Sequence, residues 1–182
     1  MSWSSALNAV RSSRSVVVLT LICLVAGTSL SITHHFTEDK IREAEKAETE
    51  RALSEIFPSA EFIEENGYYK AMKNGEFIGY AAIVEGKGYG GTIKIAIGIC
   101  LDETIKRVRV ISQSETPGLG SRVAEDEFLI QFKGKNLEEL KLRGEGGEID
   151  AITGATISSD AVVDIVREEF QKLVEVLGRA KG

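Results

Sequence analysis

Hydroxyl groups crowd one short segment, Asp150-Ala151-Ile152-Thr153-Gly154-Ala155-Thr156-Ile157-Ser158-Ser159-Asp160, directly ahead of a run with apolar periodicity. Ser158 and Ser159 are the natural caps for the helix that this periodicity predicts, because a cap oxygen takes up one of the free amides of the first turn. Capping does not need Thr156 as well. The same free amides and the helix dipole attract phosphate, so a phosphate esterified to the Thr156 hydroxyl would be well placed. Gly154 and Ala155 are small enough to let another enzyme's active site reach that hydroxyl, and Asp150 could orient the loop or help bind a metal.

A second segment, Glu115-Thr116-Pro117-Gly118-Leu119-Gly120-Ser121, reads first as a Pro-Gly turn. The turn leaves Glu115, Thr116 and the lone Leu119 at its tip unexplained, and these groups suit the polar rim and apolar face of one ligand. A third, Gly86, Gly88 and Gly91, satisfies G-x-G-x-x-G. A dinucleotide fingerprint would have to open a helix, since the pyrophosphate rests on helix N-terminal amides. Here Thr92-Ile93-Lys94-Ile95-Ala96-Ile97 follows, a β-branched alternation that predicts a hairpin. Its glycines still permit the close backbone approach that a wall of a planar ligand site requires.

The elements that must position these segments begin with an uncharged run, Val16 to Ile32. Its length of about 17 residues gives roughly 26 Å of helix, close to a hydrocarbon core of ~30 Å. No A-x-A-like cleavage site occurs near Gly27 to Ser31, and Ile22 stands before Cys23 where a lipoprotein would carry a small residue, so an uncleaved span is expected. Of the 22 Lys and Arg only Arg11 and Arg14 precede Thr37, and all 28 Asp and Glu follow it. The positive-inside rule then sets the N-terminus in the cytoplasm and the acidic remainder outside. An acidic domain repels nucleic acid. The His34-His35 pair has no second ligand cluster and reads as a wet interfacial position, and Cys23 and Cys100 lie too far apart in kind and place to suggest a disulfide or thiolate metal site.

From Thr37 a charged run rich in helix formers leads to a stop at Pro58. Strand-like runs follow at Tyr68–Met72, Phe77–Val84, Thr92–Leu101 and Ile105–Ser112, with a further one at Phe128–Phe132. The chain closes on a helix over Ser158–Leu177, with Val162, Val163, Ile165, Val166, Phe170, Leu173, Val174 and Leu177 on one face. The expected fold class is α+β: a single transmembrane helix, then a twisted, mainly antiparallel sheet with packed helices. The expected divisions are a cytoplasmic tail at 1–15, the span at 16–33, a juxtamembrane helix at 34–57 and an extracytoplasmic domain at 58–182.

In the order short tail, single span, Gly-Tyr-Gly-Gly (88–91), ETPGLG (115–120) and D-x-x-T-G-A-T (150–156), the chain resembles the FMN-binding G subunit of the Rnf ion-translocating oxidoreductase complex. That subunit is related to the C subunit of the sodium-pumping NADH:quinone reductase, whose longer insertions this chain lacks. The resemblance implies that a flavin transferase, with FAD as donor, joins FMN to Thr156 by a phosphodiester bond. It further implies a cofactor site drawn from Thr153, Gly154, Ala155, Glu115, Thr116, Leu119, Gly120, Tyr89 and Gly90. Gln113 departs from the family, which carries a histidine two residues before this glutamate. The implied neighbours are the membrane subunits A, D and E and the iron–sulfur subunits B and C of a complex that couples ferredoxin oxidation and NAD reduction to Na⁺ or H⁺ movement. With no nucleophile–base pair, metal cluster or nicotinamide site in the sequence, no catalytic residues or metal ligands are assigned and electrons must come from and go to other subunits. The alternatives are the sodium-pumping C subunit, a free-standing membrane-tethered flavoprotein and a non-redox anchor module of the same fold.

Overall fold

A single helix, α1, runs over Trp3–Ile56. Proline is absent from this stretch, and Gly27 alone costs only about 1 kcal/mol against alanine, so nothing divides the tail, the span and the juxtamembrane segment from one another. The computed structural model describes the backbone of residues 3–181 and their side chains apart from those of 3–15, 35, 36, 39, 180 and 181. The charges of Arg11, Arg14 and Asp39 and the ring of His35, on which the orientation and ligation readings rest, therefore lie outside the described residues. Within α1, Val16–His34 is long and apolar enough to cross a bilayer and is wholly unburied. Its threonine hydroxyls are satisfied inside the helix: Thr20 donates to the Val16 carbonyl (2.9 Å), Thr28 to Leu24 (2.8 Å) and Thr33 to Ser29 (2.9 Å). Such internal pairing is what an apolar surrounding demands of a polar side chain.

The chain forms two compact units, one up to Lys46 and one from Ala47 onward. The second unit is built on five antiparallel strands in sequence order: β1 (Glu61–Glu65), β2 (Tyr68–Lys73), β3 (Glu76–Lys87), β4 (Thr92–Cys100) and β5 (Ile105–Gln113). The first two hairpins turn on Asn66-Gly67 and Asn74-Gly75, each with φ of 53° then 82°, the left-handed pair that suits a two-residue hairpin. Along β4 the period of two sends Ile93, Ile95, Ile97 and Ile99 to one face, where all are fully buried. That face packs against helix α3 (Thr156–Lys181) through Val162, Val163, Val166, Phe170, Leu173 and Leu177. At roughly 1.5–3 kcal/mol for each large apolar side chain buried, this stripe is what docks α3 on the sheet. The opposite face, with Ala71, Ala81 and Ala96, is covered by Ala52, Leu53 and Ile56 at the end of α1 and by Phe57. The α+β class with an antiparallel sheet is thus as expected, while the strand-like runs at 68–72, 77–84, 92–101 and 105–112 differ from the observed strands only at their ends.

Phe128–Phe132 is not a strand. It forms a short helix, α2 (Asp126–Leu129), continued by a 3₁₀ turn over Ile130–Phe132. An alternating strand would bury Phe128, Ile130 and Phe132 together; instead Phe128, Leu129 and Phe132 are buried and Ile130 is 61% exposed. The two phenyl rings meet edge to face at 5.6 Å, the contact that helical i, i+4 spacing provides. Strand β1 is hidden in the sequence because Glu61, Glu64 and Glu65 give it the look of a charged loop.

Candidate functional site

The cleft at the start of α3 gathers three segments that are far apart in the chain. It encloses about 420 Å³ and is lined by Tyr89, by Glu115, Thr116, Leu119 and Gly120, and by Gly154, Ala155, Thr156, Ile157 and Ser158. Local chemistry shapes each wall. Gly88 N–H donates to the Gly91 carbonyl (2.7 Å), closing the β3–β4 hairpin and presenting Tyr89, which is 69% exposed. Thr116-Pro117-Gly118-Leu119 forms a turn in which Leu119 N–H donates to the Thr116 carbonyl (3.2 Å) and Gly118 takes φ of 75°, the type II position that favours glycine. Gly154, at φ of 83°, makes the bend into α3, and a Cβ built on it would stand 3.0 Å from the Leu119 Cδ1, so the two walls approach closely there.

Thr156 is the first residue of α3 and is exposed to the cleft. Ser159 N–H donates to the Ala155 carbonyl (2.9 Å), which makes Ala155 the cap and leaves the amides of Thr156, Ile157 and Ser158 ahead of the first helical hydrogen bond. No acidic residue lies in the first turn of α3 to occupy them. An anion held at Thr156 would meet these amides and the positive end of the dipole.

Ser158 and Ser159, read as caps from the sequence, are both inside the helix and buried. Ser159 Oγ donates to the Ala155 carbonyl (3.0 Å) and accepts from Ile152 N–H (3.0 Å), holding the incoming loop against the first turn. Ser158 Oγ donates to Glu115 Oε2 (2.7 Å). The other oxygen of Glu115 accepts from Gly90 N–H (3.0 Å), and Glu115 N–H donates to Gln113 Oε1 (2.6 Å). Glu115, expected at a ligand's polar rim, is therefore 5% exposed with both carboxylate oxygens engaged by the protein.

Gly90 does not line the cleft but donates its N–H to Glu115, and Thr153 lines a neighbouring hollow with Arg122, Glu125, Gln131 and Asp150. The remaining candidates from the sequence share the one cleft. Two further residues line it that the sequence does not assign to the site: Ser158, which reads there as a cap, and Ile157, whose signal is a large apolar side chain out of register with the α3 stripe and 63% exposed. Asp150 lines the neighbouring hollow and not the cleft, and is gripped by Arg143, whose Nε and Nη2 donate to its two carboxylate oxygens (2.5 and 3.0 Å). That hydrogen-bonded guanidinium holds the Asp150 carboxyl below its ordinary pKa. Gln131 grips the Asp150 backbone at both ends, accepting from its N–H (2.7 Å) and donating to its carbonyl (3.3 Å). An exposed ion pair of this kind adds little stability; its effect is to fix where the segment before Thr156 begins.

Residues 88–170 match the family model described as the FMN-binding domain, and residues 6–56 match that of the RnfG N-terminal region. The chain is 33% identical over 192 residues to the G subunit of the ion-translocating oxidoreductase complex of Vibrio atlanticus, covering 91% of this chain and 90% of the relative. It is 31% identical to the G subunit of the proton-translocating ferredoxin:NAD(+) oxidoreductase complex of Clostridium ljungdahlii, covering 88% of this chain and 90% of that one. With the G subunit of the ion-translocating oxidoreductase complex of Methanosarcina acetivorans the identity is 34%, over 82% and 87% of the two chains. In fold it is similar to the crystal structure of Shewanella oneidensis NqrC, with a TM-score of 0.52 at 22% identity over 66% of this chain and 70% of that one.

Proposed function

The chain belongs to the family of G subunits of ion-translocating oxidoreductase complexes, and from that membership we propose that it is an electron-transfer subunit carrying FMN covalently on Thr156. The observation that most supports this reading is the cleft itself, which brings an exposed hydroxyl, free helix-start amides and exposed apolar side chains into one place. Its volume of about 420 Å³ falls in the range of small-molecule sites. FMN, when bound, supplies reversible one- and two-electron transfer. The residues of this chain bind and orient it. The amides of Thr156, Ile157 and Ser158 would hold its phosphate, while Leu119, Tyr89 and Ile157 would offer apolar surface to the ring and Thr116 a polar group. The bend at Gly154 and the small Ala155 leave Thr156 open to the transferase during maturation. Intact mass of the full chain, purified from cells that make a flavin transferase, tests the attachment: an unmodified mass would end this reading.

Electrons then enter from and leave to other subunits, which we assign as the membrane subunits A, D and E and the iron–sulfur subunits B and C, in a complex oxidising ferredoxin, reducing NAD⁺ and moving Na⁺ or H⁺. The chain supplies no complete active site of its own to this sequence. Val16–His34 anchors it in the cytoplasmic membrane, with Arg11 and Arg14 on the cytoplasmic side and the domain outside. Protease added to spheroplasts is expected to digest the part beyond Thr37; a domain protected until the membrane is opened would reverse the orientation.

Leu119 gives a second measurable expectation. Because it is 45% exposed and lines the cleft beside Gly154, Leu119→Ala should remove a contact with the ring while leaving the ester bond in place. The visible spectrum or reduction potential of the bound flavin is expected to move with the covalent yield unchanged. Identical spectrum and potential would reduce the Pro117-Gly118 segment to a plain turn.

A further inference from the structure

Glu115 is joined to partners 25 and 43 residues away, Gly90 on the β3–β4 hairpin and Ser158 on the first turn of α3. These bonds reach from one wall of the cleft to each of the other two. The packing around the carboxylate is as specific as its hydrogen bonds. A Cβ built on Gly88 would overlap Oε1, and one built on Gly120 would lie 2.6 Å from Oε2 and 2.8 Å from Ser158 Oγ. The glycines at both sites thus leave room for this one side chain. Burying a carboxylate costs free energy that an apolar residue of the same size would not, so packing alone does not account for a glutamate here. What an apolar side chain cannot do is hold the Gly90 N–H and the Ser158 hydroxyl at a fixed separation, which a planar side chain with two polar ends does.

We propose that Glu115 is a positioning residue: its buried carboxylate clamps Gly90 and Ser158 and so fixes the width of the cleft in which Thr156 is presented, without being a ligand of the flavin. The inference rests on the reading of Thr156 as the attachment residue. Its physical content is separable, because the clamp exists before any flavin arrives. Ser158 is two residues from Thr156, Gly90 is next to Tyr89, and the 116–120 turn follows Glu115 directly, so releasing the clamp frees all three walls.

The test uses the full chain in detergent, with Glu115→Ala, Glu115→Gln, Ser158→Ala and the Glu115→Ala/Ser158→Ala double variant. Two quantities are read: hydrogen exchange of the Gly90 amide in the flavin-free chain, and the rate at which a flavin transferase loads FMN from FAD. Glu115→Ala is expected to speed Gly90 exchange and slow loading, each by about tenfold, the scale of one lost hydrogen bond to a charged group. Glu115→Gln should restore both to near wild type, because its carbonyl accepts from Gly90 while its amide donates to the hydroxyl of Ser158. Ser158→Ala should slow loading by itself and add little in the Glu115→Ala background. Wild-type Gly90 protection and wild-type loading in Glu115→Ala would overturn the clamp. Should Glu115→Ala lose protection across the whole sheet, Ser158→Ala decides: loading at the wild-type rate overturns the clamp, and slowed loading with an intact sheet supports it. A wild-type chain that never acquires flavin refutes the Thr156 reading instead, while Gly90 exchange still decides on the clamp.

Discussion

Thr156→Ala is expected to yield a chain that folds and inserts in the membrane but holds no covalent flavin. The four hydroxyls near the start of α3 are not equivalent. Ser158 Oγ is committed to Glu115 and Ser159 Oγ to the Ala155 carbonyl and Ile152 amide, and both residues are buried. Thr153 is exposed but lines the neighbouring hollow with Arg122 and Asp150 and does not line the cleft. Thr156 alone combines exposure with a place in the cleft ahead of the first helical hydrogen bond. Losing a hydroxyl at a helix start costs at most about 2 kcal/mol, and alanine is the better helix former, so the fold should survive. Denaturing gels viewed under ultraviolet light give the readout, since only covalently held flavin remains with an unfolded chain. A fluorescent band that persists in Thr156→Ala from cells with an active transferase would move the attachment elsewhere. Loss in Thr156→Ala with retention in Thr153→Ala would fix it.

What the sequence made legible follows from the range of the forces involved. The β2–β3 turn at Asn74-Gly75, the alternation of Ile93, Ile95, Ile97 and Ile99, and the stripe from Val162 to Leu177 are local patterns, and each fixes its own element. That 88–91, 115–120 and 150–156 serve one place was legible only through resemblance, because nothing local to any of them points to the other two. The role of Glu115 shows the limit more sharply. From the sequence its carboxylate at a turn tip looks like a ligand group, and only the partners 25 and 43 residues away reveal that both oxygens are already taken. Likewise Ser158 and Ser159 look like caps until the helix is seen to start two residues earlier, at Thr156, where the Ala155 carbonyl receives the first bond.

The run Phe128-Leu129-Ile130-Gln131-Phe132 offers the largest separation between two readings, because the helical and strand registers bury different residues. In the observed register Phe132 is fully buried against Phe128, and Ile130 faces solvent. Phe132→Ala is therefore expected to cost ~3–5 kcal/mol through lost transfer energy and the cavity left behind. Ile130→Ala, at an exposed site, should stay within about 0.5 kcal/mol of wild type. For a domain of this size the first change corresponds to a fall in Tm of roughly 10–20 °C, and the second to a shift of no more than a few degrees. Near-ultraviolet circular dichroism of the tyrosines is the suitable probe, since Tyr68, Tyr69 and Tyr80 all lie in the sheet and α1 would dominate a far-ultraviolet signal. The difference reaches the cleft as well. Gln131, on the same turn, holds both backbone groups of Asp150, so Phe132→Ala should also slow flavin loading as temperature rises, while Ile130→Ala tracks wild type throughout. Equal losses of Tm in the two variants would return this segment to a strand, and equal loading in the face of a lowered Tm would detach it from the presentation of Thr156.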